Sequence, residues 1–230
     1  MIICIYALIT PAPARLRLAG VAGERLRVVT VDRIGAVIGE LRRTPAPSVR
    51  NLRRWAAVVE SIAARASSVL PARFATTVAD RDELAFIMHS RRATLRERLR
   101  VVRGRAQMTT RLLGSDPDDP RYRGLTPVTS RTGVRPRYTS TQGTQYLQEK
   151  MAIAADARAV PEFKPVRQAI QRYVKDERVD RRGGVVTINH LVPRASAVAY
   201  RDAVEHAADE NGVRLIVTGP WPPYAFADAW

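Results

Sequence analysis

Gly183-Gly184-Val185-Val186-Thr187-Ile188-Asn189-His190-Leu191-Val192 is the stretch that decides the fold. The two glycines supply the positive φ angles of a tight hairpin turn. The apolar run after them reads as a strand, and a shorter one near Arg178 to Arg182 runs into the turn. Downstream, Ser196 to Asp209 is predicted to be a helix closed by Asn211-Gly212, and Val213 to Thr218 the last strand. Upstream lie a strand between Arg100 and Leu113 and a helix or helix pair from Thr144 to Lys175. The order is βαββαβ, which is ferredoxin-like, and it makes the C-terminal half α+β.

The N-terminal half also mixes strands and helices. Ile2 to Ile9 reads as a buried strand, and Leu26 to Val31 and Ile34 to Gly39 as two more around Asp32-Arg33. Ser48 is a plausible N-cap, followed by a stripe of Leu52, Trp55, Val59, Ile62, Ala66 and Val69 that predicts one helix ended by Pro71. Phe74 to Val78 is predicted to be a strand. Asp80 with Glu83 makes a capping pair for a second helix with the stripe Leu84, Ile87, Met88, Leu95 and Leu99. The chain is therefore divided into an α+β domain over 1–99, a ferredoxin-like domain over 100–218 and a tail over 219–230. Residues 114–140, with Pro117, Pro120, Pro127 and Pro136 and no apolar period, read as a long Pro/Arg-rich loop. That loop is either a mobile connection or a segment that orders on a partner.

The tail opens with Gly219-Pro220-Trp221-Pro222-Pro223-Tyr224-Ala225-Phe226. Proline lacks an N–H and fixes its backbone, so this octet is expected to be a stiff extended ribbon and not a strand. Trp221, Tyr224 and Phe226 would dock it on its own domain or serve as a partner-binding edge, and the two readings are compatible.

Composition narrows the class. The 230 residues are 46% hydrophobic but 6% aromatic, so aliphatic side chains and alanine fill the cores. No apolar run is long enough to cross a bilayer. The lone Cys4 forms no internal disulfide, and a cytoplasmic location is expected. The net charge of +16 points to polyanions, yet only Lys150, Lys164 and Lys175 are lysines, a bias towards arginine that also suits a GC-rich genome. Arg91, Arg92, Arg96, Arg98 and Arg103 form a basic helix face, either solvated or matched to an acidic partner surface.

Chemistry-bearing motifs are sparse. His89, His190 and His206 stand among dissimilar neighbours, with no phosphate-binding glycine loop, no HExxH and no paired-cysteine spacing. No catalytic residue, cofactor or metal is assigned, and a histidine meeting a carboxylate in a cleft would reverse that. A ferredoxin-like fold with this charge suggests RNA recognition, but Val101 to Leu113 and Val185 to Val192 contain no aromatic residue for base stacking.

The octet after a strand resembles the gas vesicle protein GvpL/GvpF family. Further matches occur in order: Tyr6-Ala7, Leu70-Pro71-Ala72-Arg73-Phe74-Ala75-Thr76, Gly143-Thr144-Gln145-Tyr146-Leu147, and Thr187 to Val192. Ala75 stands where the family usually has Gly, Trp55 where His is frequent, and Gln107-Met108 where Glu is common. The resemblance implies a modified ferredoxin-like C-terminal domain and a non-enzymatic accessory role in gas vesicle assembly, associated with the vesicle. The implied partners are the hydrophobic shell protein and other accessory proteins. The alternative is a scaffold module of another assembly or a non-specific nucleic-acid binder. The residues expected to act as anchors are Arg73, Trp221, Pro222, Pro223, Tyr224 and Phe226. Arg73 is expected to be a buried or interfacial guanidinium.

Overall fold

A computed structural model describes residues 1–11, 16–113, 160–182 and 185–227. The loop predicted over 114–140, the first part of the expected 144–175 helices, the Gly183-Gly184 turn and the last three residues lie outside them. Strand β1 (Ile2–Thr10) is the spine of the first sheet, with Ile3 to Ile9 all buried. Such a continuous apolar run suits a strand covered on both faces. The antiparallel order is β2 (Arg27–Val31), β3 (Ile34–Leu41), β1, β4 (Ser68–Pro71), with β5 (Thr77–Val78) also pairing with β1. The register of β1 against β3 slips between Ile5 and Ala7, so Tyr6 is an extra, bulged residue.

Three helices complete the first core. Helix α1 (Val49–Ala63) begins where the Ser48 hydroxyl accepts the Asn51 N–H, and it buries Trp55, Val59 and Ile62. Helix α2 (Arg81–Ser90) begins where Asp80 accepts the Glu83 N–H, as expected of the cap, while Glu83 reaches back to the N–H of Ala79, one residue before the N-cap. Helix α3 (Arg92–Val102) adds Leu95, Leu99 and Val102. Tyr6 stacks on Trp55 with ring centroids 4.3 Å apart, and Phe74 meets Trp55 edge-on at 5.4 Å. Burial, and then Glu24, push the Cys4 thiol up to about 12, so it sits in this core as a small apolar residue.

The second sheet is antiparallel, in the order β7 (Asp176–Arg182), β8 (Val185–Pro193), β6 (Arg105–Leu112), β9 (Leu215–Trp221). In chain order this places the last strand beside the first and the third between the first and second, the ferredoxin-like arrangement expected. Helix α4 (Lys164–Ile170) and helix α5 (Ala197–Glu210) cover it with Val166, Ile170, Tyr200, Val204 and Ala207.

Several local expectations need correction. The first helix stops at Ala63 instead of running to Pro71, and Ser68–Pro71 is the strand β4, with all four residues buried against β1. Ala66 and Val69 fit helical spacing, but two apolar residues three apart also fit a turn into a strand. Only Thr77–Val78 of the predicted 74–78 strand forms, because Ala75 has φ 60. The second helix is two, broken at Arg91 with φ −104 and ψ 10. Strand β9 runs on through Pro220 to Trp221, into the octet that was expected not to be a strand.

Ala75 takes the left-handed conformation, with φ 60, a cost of about 1–2 kcal/mol for a residue with a Cβ. Ala75→Gly is expected to raise stability by about 0.5–1 kcal/mol after the greater chain entropy of glycine is allowed for. The urea midpoint at unchanged slope checks this.

Candidate functional site

The octet enters the second sheet through a bulge. Gln107 faces Trp221 and Thr109 faces Thr218 across β6 and β9, so Gly219 and Pro220 together oppose Met108. A proline fits there because the bulge asks for no N–H. Gly219 has φ 122, and a Cβ on it would lie 2.8 Å from the Gln107 carbonyl oxygen and 2.9 Å from Met108 Sδ. Only glycine fits that backbone without movement. Arg201 of α5 donates to the Gly219 carbonyl.

Beyond Trp221 the chain is not an extended ribbon. Pro222 and Pro223 are buried, and Tyr224–Phe226 forms one 3₁₀ turn in which the Phe226 N–H donates to the Pro223 carbonyl at 3.1 Å. Gln107 holds this turn. Its Oε1 accepts the Ala225 N–H at 2.8 Å, while Nε2 donates to Thr109 Oγ1 at 3.0 Å and Asn189 Oδ1 at 2.9 Å. Phe226 is 1% exposed within the first core, under the Arg178 guanidinium at 5.2 Å. The tail therefore leaves one sheet and plugs the other core. Trp221 and Tyr224 remain 40% and 38% exposed on a fixed support, although burial raises the Tyr224 hydroxyl, so that residue is open only in part.

The remaining expected anchor is placed differently. Arg73 is exposed, and its backbone carbonyl receives Thr76, so the expected buried guanidinium is not found there. Arg194 fills that role. It donates from Nη1 to the Ala63 carbonyl at 2.9 Å and the Ala66 carbonyl at 3.3 Å, and from Nε to Arg105 at 3.3 Å. No motif in the sequence distinguishes Arg194 from the other arginines, because its partners are carbonyls far away in the chain.

Each histidine meets a carboxylate. His89 Nδ1 lies 2.9 Å from Asp32, His206 Nε2 lies 3.3 Å from Glu210, and His190 Nε2 lies 2.8 Å from Glu177. The first two pairs are surface pairs. His190 is fully buried, with Nδ1 2.6 Å from the Tyr200 hydroxyl, and Glu177 also accepts from Arg167 at 3.0 Å. Cavities of about 430 Å³ beside Pro161 and Asn211 and about 560 Å³ beside Gly23 and Val58 have no histidine in their walls. The His190 row is thus a packed polar link between α4, β7, β8 and α5. Burial raises the Glu177 pKa, but hydrogen bonds from His190 and Arg167 outweigh it and hold the group at about 2. Burial also raises the Tyr200 hydroxyl.

Two outcomes follow. Gln107→Ala strands the Ala225 N–H and leaves Asn189 Oδ1 with the Thr109 hydroxyl as the remaining one of its two donors, and is expected to cost about 2–3 kcal/mol by chemical denaturation. Glu177 contributes stability that is complete above about pH 4.5 and is lost as pH falls towards 2. Glu177→Gln should cost about 2 kcal/mol at pH 7, and a pH series of melts should show the gap from wild type closing over that acid window.

Comparison with known proteins is consistent along the chain. The family model for "Gas vesicle synthesis protein GvpL/GvpF" matches residues 3–228. Gas vesicle protein L2 of Halobacterium salinarum is 27% identical over 90% of this chain and 83% of its own length. Gas vesicle protein F of a Streptomyces species is 23% identical over 94% of this chain and 93% of its own. The crystal structures of gas vesicle protein GvpF from an Anabaena species and from Microcystis aeruginosa each superpose with a TM-score of 0.71 over 99% of this chain, at 16% and 15% identity. They cover 96% and 99% of those chains respectively, so the fold is shared throughout.

Proposed function

Because this chain belongs to the gas vesicle synthesis protein GvpL/GvpF family, and so has a gas vesicle-related role, we propose that it is a non-enzymatic accessory protein that binds the hydrophobic shell protein during vesicle assembly. The observation that carries this reading is the pair of half-exposed rings, Trp221 and Tyr224, on a segment locked by Gln107, two buried prolines and Phe226. A shell subunit awaiting assembly needs apolar cover, and a pre-set aromatic pair supplies it with little ordering cost. Pro222, Pro223 and Phe226 act as structural anchors in this reading, and Arg73 lies on the exposed surface. The chain works in the cytoplasm as two domains, with the tail fastening one to the other. Among the described residues no helix is long and apolar enough to cross a membrane.

The test is co-purification of the full chain with the candidate shell protein, after nuclease treatment and across a salt series. The double variant Trp221→Ala/Tyr224→Ala is expected to melt within a few degrees of wild type yet lose salt-resistant capture, since two interface aromatics are together worth about 2 kcal/mol or more. Unchanged capture by the double variant would overturn the assignment. Capture that collapses with salt in both forms would point instead to nucleic acid or a general basic scaffold.

A further inference from the structure

We propose that the tip of the β2–β3 hairpin, with the adjoining faces of α2 and α3, is a second docking surface, which takes an acidic, apolar-centred face of a partner protein. The charge of this chain is segregated. Residues 1–113 contain 21 arginines and 8 carboxylates, whereas residues 160–230 contain 10 basic and 9 acidic side chains. Most of the net positive charge outside 114–159 therefore lies N-terminal to β6, where 19 of those 21 arginines stand.

Within that half one place is built at a cost. Val31 pairs with Ile34, so Asp32-Arg33 is a two-residue hairpin loop, with φ 49 and 66. Such a loop favours glycine in its second position, and Arg33 occupies it in a left-handed conformation. Strain kept in an exposed turn by a long cation is a pointer to use. The tip is also fixed. The Asp32 carboxylate pairs with His89 of α2 at 2.9 Å, and the Asp32 carbonyl accepts from Arg96 of α3 at 3.1 Å. Arg92 lies one helical turn before Arg96 and is exposed on the same side. Phe86, one turn before His89 on the outer face of α2, is 74% exposed.

Exposed arginines on the tip and on α3, with a bare aromatic ring on the adjoining helix α2, have the composition of an interface centre, not of an ordinary solvated face. Its sign pattern selects a protein over a nucleic acid. Asp82 is exposed one turn before Phe86, and Asp32 keeps a partly open carboxylate at the tip, so a uniformly anionic strand meets repulsion where a patterned protein face need not. Aspartate and glutamate around an apolar residue would pair with Arg33, Arg92 and Arg96 while covering Phe86.

Arg33→Gly separates structure from recognition, because it relieves the turn while removing the cation. The probes are a synthetic amphipathic helix with a leucine stripe flanked by glutamates, a scrambled peptide of the same composition, and a single-stranded DNA oligonucleotide. Each is titrated into the full chain at moderate salt. Arg33→Gly is expected to raise Tm by about 2–4 °C and to weaken the patterned peptide about tenfold. Phe86→Ser should weaken it similarly without the thermal gain, and Trp221→Ala/Tyr224→Ala should leave it unchanged. Arg33→Gly binding within about twofold of wild type would overturn the proposal. So would equal binding of the scrambled peptide, tighter binding of the oligonucleotide that Arg33→Gly abolishes, or loss of the peptide in the tail variant. The tail variant's effect on the shell protein is read separately, so either surface can fail without the other.

Discussion

The side chain of Gln107 is the constraint on which the rest of the C-terminal architecture depends. It leaves β6 at the point where β9 bulges, and it engages three partners on three separate segments: Thr109 on its own strand, Asn189 on β8 and the Ala225 N–H of the tail. In a site this buried each of those groups would be costly if left unpaired. The network therefore fixes where the chain goes after the last strand. Once Ala225 is held, Phe226 has one place to go, into the first core beneath Arg178. Gly219 is the steric counterpart, since any Cβ there would strike the carbonyl of Gln107 itself.

A second joint supports the first. Arg194 reaches across from the end of β8 to the carbonyls that α1 and its following turn leave without helical partners, while the Gly104 N–H donates to the Ser67 carbonyl at 2.7 Å. Unsatisfied carbonyls at the C-terminus of a helix carry partial negative charge, which a guanidinium meets well. Among the described residues the two sheets are thus joined by Arg194 with Gly104, by the tail, and by Leu191 of β8, which is buried in the first core.

The sequence revealed what local chemistry controls. Ser48, Asp80 and Glu83 act as caps because capping depends on residues within one turn, and the βαββαβ order follows from runs that alternate in period. What it did not reveal is set by distant partners. Ser68–Pro71 becomes a strand because β1 offers it an edge, although Ala66 and Val69 fit a helix equally well. Pro220 enters a strand because β9 has an extra residue there. Arg73 stands between Pro71 and Phe74, a rigid setting that suggests a fixed guanidinium, yet the arginine that bridges carbonyls is Arg194, whose local sequence is ordinary. The exposure of Trp221 and Tyr224 beside a buried Phe226 was equally hidden, since three aromatic residues in six positions look alike until the 3₁₀ turn assigns their directions.

That assignment bears on how a small tail can serve both stability and binding. If all three rings were exposed, the tail would be held only by its prolines and the Gln107 hydrogen bond and would lose more entropy on each encounter. If all three were buried, nothing would be offered. With Phe226 and the two prolines inside, the ordering cost is met during folding, and the rings of Trp221 and Tyr224 are presented in fixed positions. The exchange works only while Gln107 and Gly219 hold the turn in place, so residues with little exposure of their own govern the geometry of the exposed pair. Recognition at this end of the molecule is for that reason a property of the β6–β9 bulge as much as of the aromatic side chains it displays.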